Sequence, residues 1–553
     1  MRWLLAAAPL LIGATPAPID RVAYTLSPVM TDAGLAALHV ELRFKGDADG
    51  KTVLHLPDRW AGTPDLWKAV SDLTADGGTL SGEGAIRTVA HKPGAPIVIG
   101  YRLASNGAAE PGPDYEKAQP IVRPGWFFFH GEGLFATPEG RDDAPASFRW
   151  SGWPAGWKLA SDLDHLASRP GTVSDIVESA GIGAPDLELV ERQVDGAPFR
   201  LAMRGSWTFT PTALADRVAA VMHAENAYWG DKGRAFFVPV APMVPEGLGR
   251  STTGTGRTDG FAIASTTNYR LEDATQFLAH EYMHSWIGRE LGGPLGDNEA
   301  EGYWLTEGFV DFAGARALVR SGIWTIEDYA EAQNEVLMRL ATSPARSLDN
   351  KTLATRFWSD GSAQQMPYDR GNIFALWADA QLSGKGGIDA VLKKQRMMAK
   401  VANSLGAPLL FPTAVREATG VDLSGAIARH IDRGEPILLP PKIGCLDVAM
   451  VDRTVFHRGF DVDATVAAGN FIAGVDPAGD AYAAGLRDGM KLISREAGEI
   501  GNPDVEIAYR VADAAGQEHV LRWRPAAAKP MRLQQLVVPT LDAAARSQCI
   551  ARL

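Results

Sequence analysis

Apolar and polar side chains alternate early in the chain. Leu38, Val40, Leu42 and Phe44 are interleaved with His39, Glu41 and Arg43, the period-two pattern of a strand with one buried face. Residues 52–56, 96–103 and 126–130 are further strand candidates, separated by turns rich in Gly, Asp and Pro. A β domain is therefore expected over roughly residues 20 to 160. His39, His55, His91 and His130 fall in or beside these strands without any ligand spacing, and they read as structural.

Beyond residue 170 the apolar spacing becomes helical, with a few strands between. Residues 211–229 read as a helix, 234–240 and 261–265 as short apolar strands, and 252–260 as a Gly/Thr-rich turn. Gly254-Thr255-Gly256 in that turn lacks the Lys-Ser/Thr that a phosphate loop needs, so it reads as a turn only. Helical segments continue to about residue 434, and the Pro-rich stretch at 436–441 marks a boundary. The remainder carries strand candidates at 470–475, 505–511 and 519–523 and a small helix near 480–486. No internal repeat is evident.

Composition narrows the class. The 553 residues are 46% hydrophobic and 22% charged, which excludes a disordered tail, a collagen-like fibre and a small disulfide scaffold. Lys and Arg number 54 against 66 Asp and Glu, a net charge of −12, and a general nucleic-acid binder needs the opposite balance. Met1-Arg2, an apolar run at 3–12 and the small residues Gly13 to Ala17 read as a secretory signal over 1–17, the alternative being a buried N-terminal element. That run falls short of the ~20 apolar residues a membrane span takes, and no later stretch qualifies. The expectation is an exported protein, periplasmic or secreted, with no membrane span. Only two cysteines occur, Cys445 and Cys549. In an oxidising compartment they could pair and tie a C-terminal domain together, or both could remain buried thiols.

The sharpest chemical signal is His280-Glu281-Tyr282-Met283-His284. Asp273 to Gln276 has capping-box form and Gly292-Gly293-Pro294 stops the helix, so the motif is expected on one helix. Positions i and i+4 lie one above the other, which directs both imidazoles at one ion, with Glu281 beside them to take a proton from an attacking water. A catalytic zinc wants a third protein ligand. Glu307 opens a second expected helix, with Asp311 one turn later on the same face, placed to accept a ring N–H from a ligating histidine. Glu299 and Glu301 are rival ligands, but they fall in a loop.

HExxH followed by Trp304-Leu305-Thr306-Glu307-Gly308-Phe309 and Phe312 resembles the gluzincin metallopeptidases, which include thermolysin and aminopeptidase N. Trp286 after the second histidine and the overall layout resemble most the glycyl aminopeptidase family. That resemblance implies a multidomain α+β protein. It would have an N-terminal β-sandwich-like domain (18–165), a thermolysin-like, mostly helical catalytic domain (166–436) and a C-terminal PDZ-like domain (437–553). Pro367-Tyr368-Asp369-Arg370-Gly371, expected just before an apolar helix, resembles the family's Tyr-x-Lys/Arg-Gly segment, which implies that Tyr368 stabilises the oxyanion. Residues 471–475, 481–486 and Asp488-Gly489 resemble a bacterial PDZ core, which implies capture of peptide C-termini, with Arg458-Gly459-Phe460 as the carboxylate loop.

One departure concerns substrate recognition. The family's Gly-rich segment before the zinc helix carries a Glu that holds the substrate amine, and no clean counterpart is present. Glu246, followed by Gly247, is the nearest candidate, with an ordinary loop carboxylate as the alternative; Arg370 is a further candidate contact or a helix-bracing residue. The resemblance implies one Zn²⁺, a peptide substrate and most simply an aminopeptidase. An endopeptidase, a non-peptide zinc hydrolase or a catalytically silent PDZ-bearing binding protein remain alternatives.

Overall fold

The computed structural model describes residues 21–553 apart from 105, 106, 108, 116, 168, 294, 402–404 and 528. The expected export signal and Pro294 lie outside the described residues. The chain forms two compact units, one ending at 187 and the other comprising 110–115 with 188–553.

The first unit is built of sheets. Its six-stranded sheet pairs Val22–Thr31 with Gly34–Lys45, and Gly34–Lys45 with Pro96–Leu103. Leu38, Val40, Leu42 and Phe44 are fully buried, as the alternation predicts. Two four-stranded sheets complete the unit. Two of the histidines there have local partners: His91 Nε2 lies 3.0 Å from Thr52 Oγ1, and the His130 ring packs 4.9 Å from Trp60.

The second unit begins with a five-stranded sheet, whose strands are β1 (Glu188–Val194), β2 (Ala197–Met203), β3 (Phe236–Met243), β4 (Thr252–Arg257) and β5 (Gly260–Thr266), in spatial order β1-β2-β3-β5-β4. Between β2 and β3, which pair in parallel, runs helix α1 (Pro211–Trp229), the crossover that a parallel pair requires. Its limits are written in the sequence: Thr210 accepts from the Ala213 N–H, Pro211 occupies the first turn and Gly230 ends the helix at φ 71°. The segment at 252–260 corrects the turn reading. Its first six residues form edge strand β4, because hydrogen bonding to β5 overrides the poor strand propensity of two glycines.

Helix α2 (Ala274–Met283) follows the sheet. It ends sooner than expected, and residues 284–290 continue as turns rather than helix. The capping box does not form either: Arg270 takes the Asp273 carboxylate in two hydrogen bonds, 2.9 and 2.7 Å, leaving no side-chain cap. The second expected helix is interrupted at Glu307. A short turn, Tyr303–Thr306, precedes it and α3 (Gly308–Arg320) follows. Beyond lie α4 (Ile326–Thr342) and α5 (Gly361–Gln381). Pro367 sits inside α5 rather than before a helix, so Tyr368 projects from a continuous helix. No helix among the described residues is long and apolar enough to cross a membrane.

After residue 440 come two three-stranded sheets. One joins Lys442–Ile443, Leu446–Arg453 and Met531–Val537; the other joins Lys491–Ala497, Ile507–Ala512 and Glu518–Trp523. The expected strand at 470–475 is reduced to a single bridge, Phe471 with Lys491, although Ile472 and Val475 still enter a small core with Phe460, Leu486, Tyr509 and Trp523. Cys445 and Cys549 form a disulfide, with Cα atoms 5.4 Å apart. The segment is keyed into the helices: Asn334 exchanges two hydrogen bonds with the Leu536 backbone, 2.7 and 3.0 Å. Arg316, buried on α3, donates to the Arg552 carbonyl at 3.0 Å.

Candidate metal centre

Helix α2 buries Leu278, Ala279, Tyr282 and Met283 against α1 and the sheet, which turns the face carrying His280 and Glu281 the other way. His284 caps the helix in αR conformation, so the i, i+4 relation to His280 survives the early end of the helix. Glu307 arrives from the break before α3. Two glycines make that approach possible. Gly308 and Gly371 meet where α3 crosses α5, and a Cβ built on Gly308 would lie 2.4 Å from the Gly371 Cα. This contact brings Tyr368, one turn earlier on α5, to the same place, its ring stacked on His280 at 5.7 Å.

The three expected ligands converge. His280 Nε2 and His284 Nε2 are 3.1 Å apart, and Glu307 Oε2 lies 3.2 and 3.3 Å from them. Among the described residues they form the one group of three or more His, Cys, Asp or Glu side chains able to hold a metal. The far side of each ring is engaged: His280 Nδ1 contacts Asp311 Oδ1 at 2.9 Å and His284 Nδ1 contacts the Ile287 carbonyl at 3.2 Å. With both imidazoles neutral and their Nδ1 protons donated there, two Nε2 lone pairs and a carboxylate oxygen face one another with no hydrogen to share. Such a triangle is repulsive unless a cation lies among the three atoms. Its edges also suit zinc, since tetrahedral bonds of ~2.0–2.1 Å place ligand atoms about 3.3 Å apart. The residues present therefore fit the ion.

Electrostatics agree with the arrangement. Burial alone would raise the Glu307 carboxyl, but His284 and His280 outweigh it and hold the group far below the usual carboxylate range. Burial opposes charge on His280, yet Asp311 and Glu307 overcome this and raise its pKa, so the pocket favours positive charge there, as a second ring proton or as a metal ion. Burial and the charges of Glu307, Asp311 and Glu281 push the Tyr368 phenol well above 10.0. It therefore stays a proton donor. Glu281 is buried beside the ligand pair.

The remaining candidates are not among these ligand contacts. Glu246 and Gly247 are exposed on a loop, with Gly247 at φ 54°. That loop leans on the C-terminal segment: Leu248 O accepts from Arg495 at 3.0 Å, and Arg250 faces Glu499 at 3.6 Å. Arg370 is buried and donates to the backbone carbonyls of Arg346, Leu348 and Ile431 at 2.8–3.4 Å, with burial pushing its pKa down to about 10. Glu299, a rival ligand, is hydrogen-bonded to Tyr303, and its carboxyl is raised by burial and by the nearby charge of Glu307. The Gly459 N–H of the expected carboxylate loop donates to His457 Nδ1 at 3.0 Å.

Sequence reasoning missed one neighbour of the centre. Strand β4 runs against α2, and Gly254 faces the Glu281 carboxylate directly. The Thr-Gly-Thr-Gly run was the available signal, since glycine inside a strand marks a close approach.

Comparison with known proteins places this geometry. Residues 273–371 match the family model described as M61 glycyl aminopeptidase, and that span contains all three ligands, Glu281, Asp311 and Tyr368. No curated protein matches the chain. Among solved structures, an aminopeptidase N family protein from Idiomarina loihiensis is similar at TM-score 0.65 and 16% identity, covering 95% of this chain and 97% of that one. An M1 zinc metallopeptidase mutant from Deinococcus radiodurans, bound to a Tyr-Ser-Ala substrate, is similar at TM-score 0.51 and 16% identity, covering 77% and 96%. The resemblance read from the sequence is thus supported over residues 273–371 by the family match, and the solved structures share the fold.

Proposed function

We propose that this protein is an exported zinc metallopeptidase that hydrolyses peptide bonds, acting as an aminopeptidase. The observation that carries the reading is the triangle of His280 Nε2, His284 Nε2 and Glu307 Oε2, with edges of 3.1–3.3 Å. These three side chains would hold one Zn²⁺. When bound, zinc polarises a carbonyl and lowers the pKa of water from 15.7 towards ~7.

The chain's own residues supply the rest. Glu281 accepts the proton of the attacking water and passes it to the leaving amine. Tyr368, protonated and stacked on His280, donates to the oxyanion that develops on the scissile carbonyl. Asp311 holds the His280 ring in the tautomer that points Nε2 inward. The peptide substrate class is supported by the family match and by the fold relative that holds a tripeptide. β4 is the outer strand of its sheet and offers a backbone edge for an extended peptide.

Around this centre the proposed organisation is a signal at 1–17, a β domain, a thermolysin-like catalytic domain and a PDZ-like domain from about 437. Periplasmic or secreted localisation follows from the signal.

The test is metal analysis of the purified protein with an activity scan over aminoacyl-arylamides and internally quenched peptides. Stoichiometric zinc with cleavage of free N-terminal arylamides is expected, and Glu281→Gln should keep the zinc and lose most turnover. Zinc with cleavage only of internal bonds would make it an endopeptidase. Zinc with no peptide cleavage, or no zinc at all, would overturn the reading.

A further inference from the structure

Thr-Thr-Gly-Thr-Gly-Arg is a poor sequence for a strand, yet residues 252–257 form one at the edge of the sheet. Glycine inside a strand gives up side-chain packing and is expected where something must come close. At Gly254 that group is identifiable. A Cβ built there would lie 2.1 Å from both Cδ and Oε1 of Glu281 and 2.6 Å from Oε2. Its three nearest neighbours are thus all atoms of the carboxylate that takes the proton. Two residues on, on the same face of the strand, a Cβ at Gly256 would meet only the His284 Cβ, at an ordinary 3.9 Å. The tight place is at 254 alone.

The backbone there asks for nothing unusual. Gly254 has no positive φ and pairs in register with Ile263. Alanine would therefore fit the strand itself without strain, and its added methyl would press on the flexible end of one side chain. That side chain can swing away at little cost to the fold. A change at 254 is expected to displace the Glu281 carboxylate while sheet, helix and ligands stay in place.

We propose that Gly254 is a positioning residue for Glu281: the missing side chain admits the strand to within contact of the carboxylate, and the strand backbone fixes where the proton acceptor stands. The proposal rests on the peptidase reading above.

The experiment compares Gly254→Ala, Glu281→Asp and the double variant in the full chain, with an aminoacyl-arylamide or whichever peptide the wild type cleaves. Gly254→Ala should keep the wild-type metal content and melting temperature while kcat falls about 100-fold, the low end of a proton acceptor's usual contribution, with KM little changed. Glu281→Asp draws the carboxylate back from the strand, so in that background the same alanine should cost less than about fivefold, the mark of two coupled groups. Three results would overturn the proposal: Gly254→Ala retaining more than a third of wild-type kcat, a loss of metal or melting temperature that accounts for the lost rate, or an equal cost in both backgrounds. A wild type without peptidase activity defeats the functional reading itself, whereas an active wild type with an active Gly254→Ala defeats only this inference.

Discussion

Glu307 and Glu246 were both read as functional carboxylates, and the molecule treats them in opposite ways. Glu307 stands at a helix break whose backbone is pinned by the Gly308–Gly371 contact, within 3.3 Å of two imidazoles. Glu246 is exposed on a loop whose neighbours, Leu248 and Arg250, reach Arg495 and Glu499 of the C-terminal segment. The Glu307 ligand is held by the close packing of two helices. The loop expected to recognise substrate is held only by partly exposed polar contacts. Chemistry and recognition therefore differ in rigidity, and substitutions should tell them apart.

The largest effect is expected at the rigid end. Glu307→Ala should release the metal on dialysis and lower kcat/KM by about 10⁴-fold or more, since it removes both the third ligand and the charge that neutralises the ion. Stoichiometric metal and near-normal turnover in that variant would break the comparison. Tyr368→Phe comes next: kcat should fall about 10²–10³-fold with metal content unchanged, the loss typical of one oxyanion donor. Because the Tyr368 pKa is raised above 10.0, its proton is retained on the alkaline side, and the kcat–pH profile should show no alkaline limb from this group below that value.

Asp311→Asn should weaken metal affinity about 10–100-fold in a chelator competition, because the His280 ring loses the acceptor that orients it. The smallest effects belong to the loop. Glu499→Gln should change KM by no more than about fivefold and less at high salt, as expected of partly exposed ion pairs. Glu246→Gln should change kcat/KM by less than about threefold, the usual scale for an exposed side chain without partners. If instead it raises KM more than tenfold for free N-termini but not for acetylated peptides, the loop is an amine anchor and the distinction fails.

The same contrast governs what could be read from the chain alone. The ligand triad was legible because helical spacing fixes His280 against His284, and because Asp311 follows Glu307 by one turn. The strands at 96–103 and 126–130 were legible from their apolar runs between turns, and the helix at 211–229 from its composition. Strand β4 was not, because its two glycines argue against a strand, although it pairs with β5 as a hairpin through Thr258 and Asp259. The capping box at Asp273 failed because Arg270 competes for the carboxylate, and sequence spacing does not say which donor wins. Pro367 was expected ahead of a helix, but it lies inside one, where the lost hydrogen bond and the crowding of the carbonyl four residues back are offset by the buried packing around it.

The Pro-rich stretch at 436–441 invites cutting the chain there, and the buried Arg316 shows what that would do. Its guanidinium reaches across 236 positions of sequence to a carbonyl at Arg552, as the Asn334 amide reaches across 202 to Leu536. A fragment ending before those partners would leave Arg316 with Asp379 and Asp389 alone and deprive the Asn334 amide of both its Leu536 hydrogen bonds. The hydrolytic segment is thus no transplantable cassette. Whatever is grafted, swapped or expressed must carry the distal fifth of the polypeptide along with it.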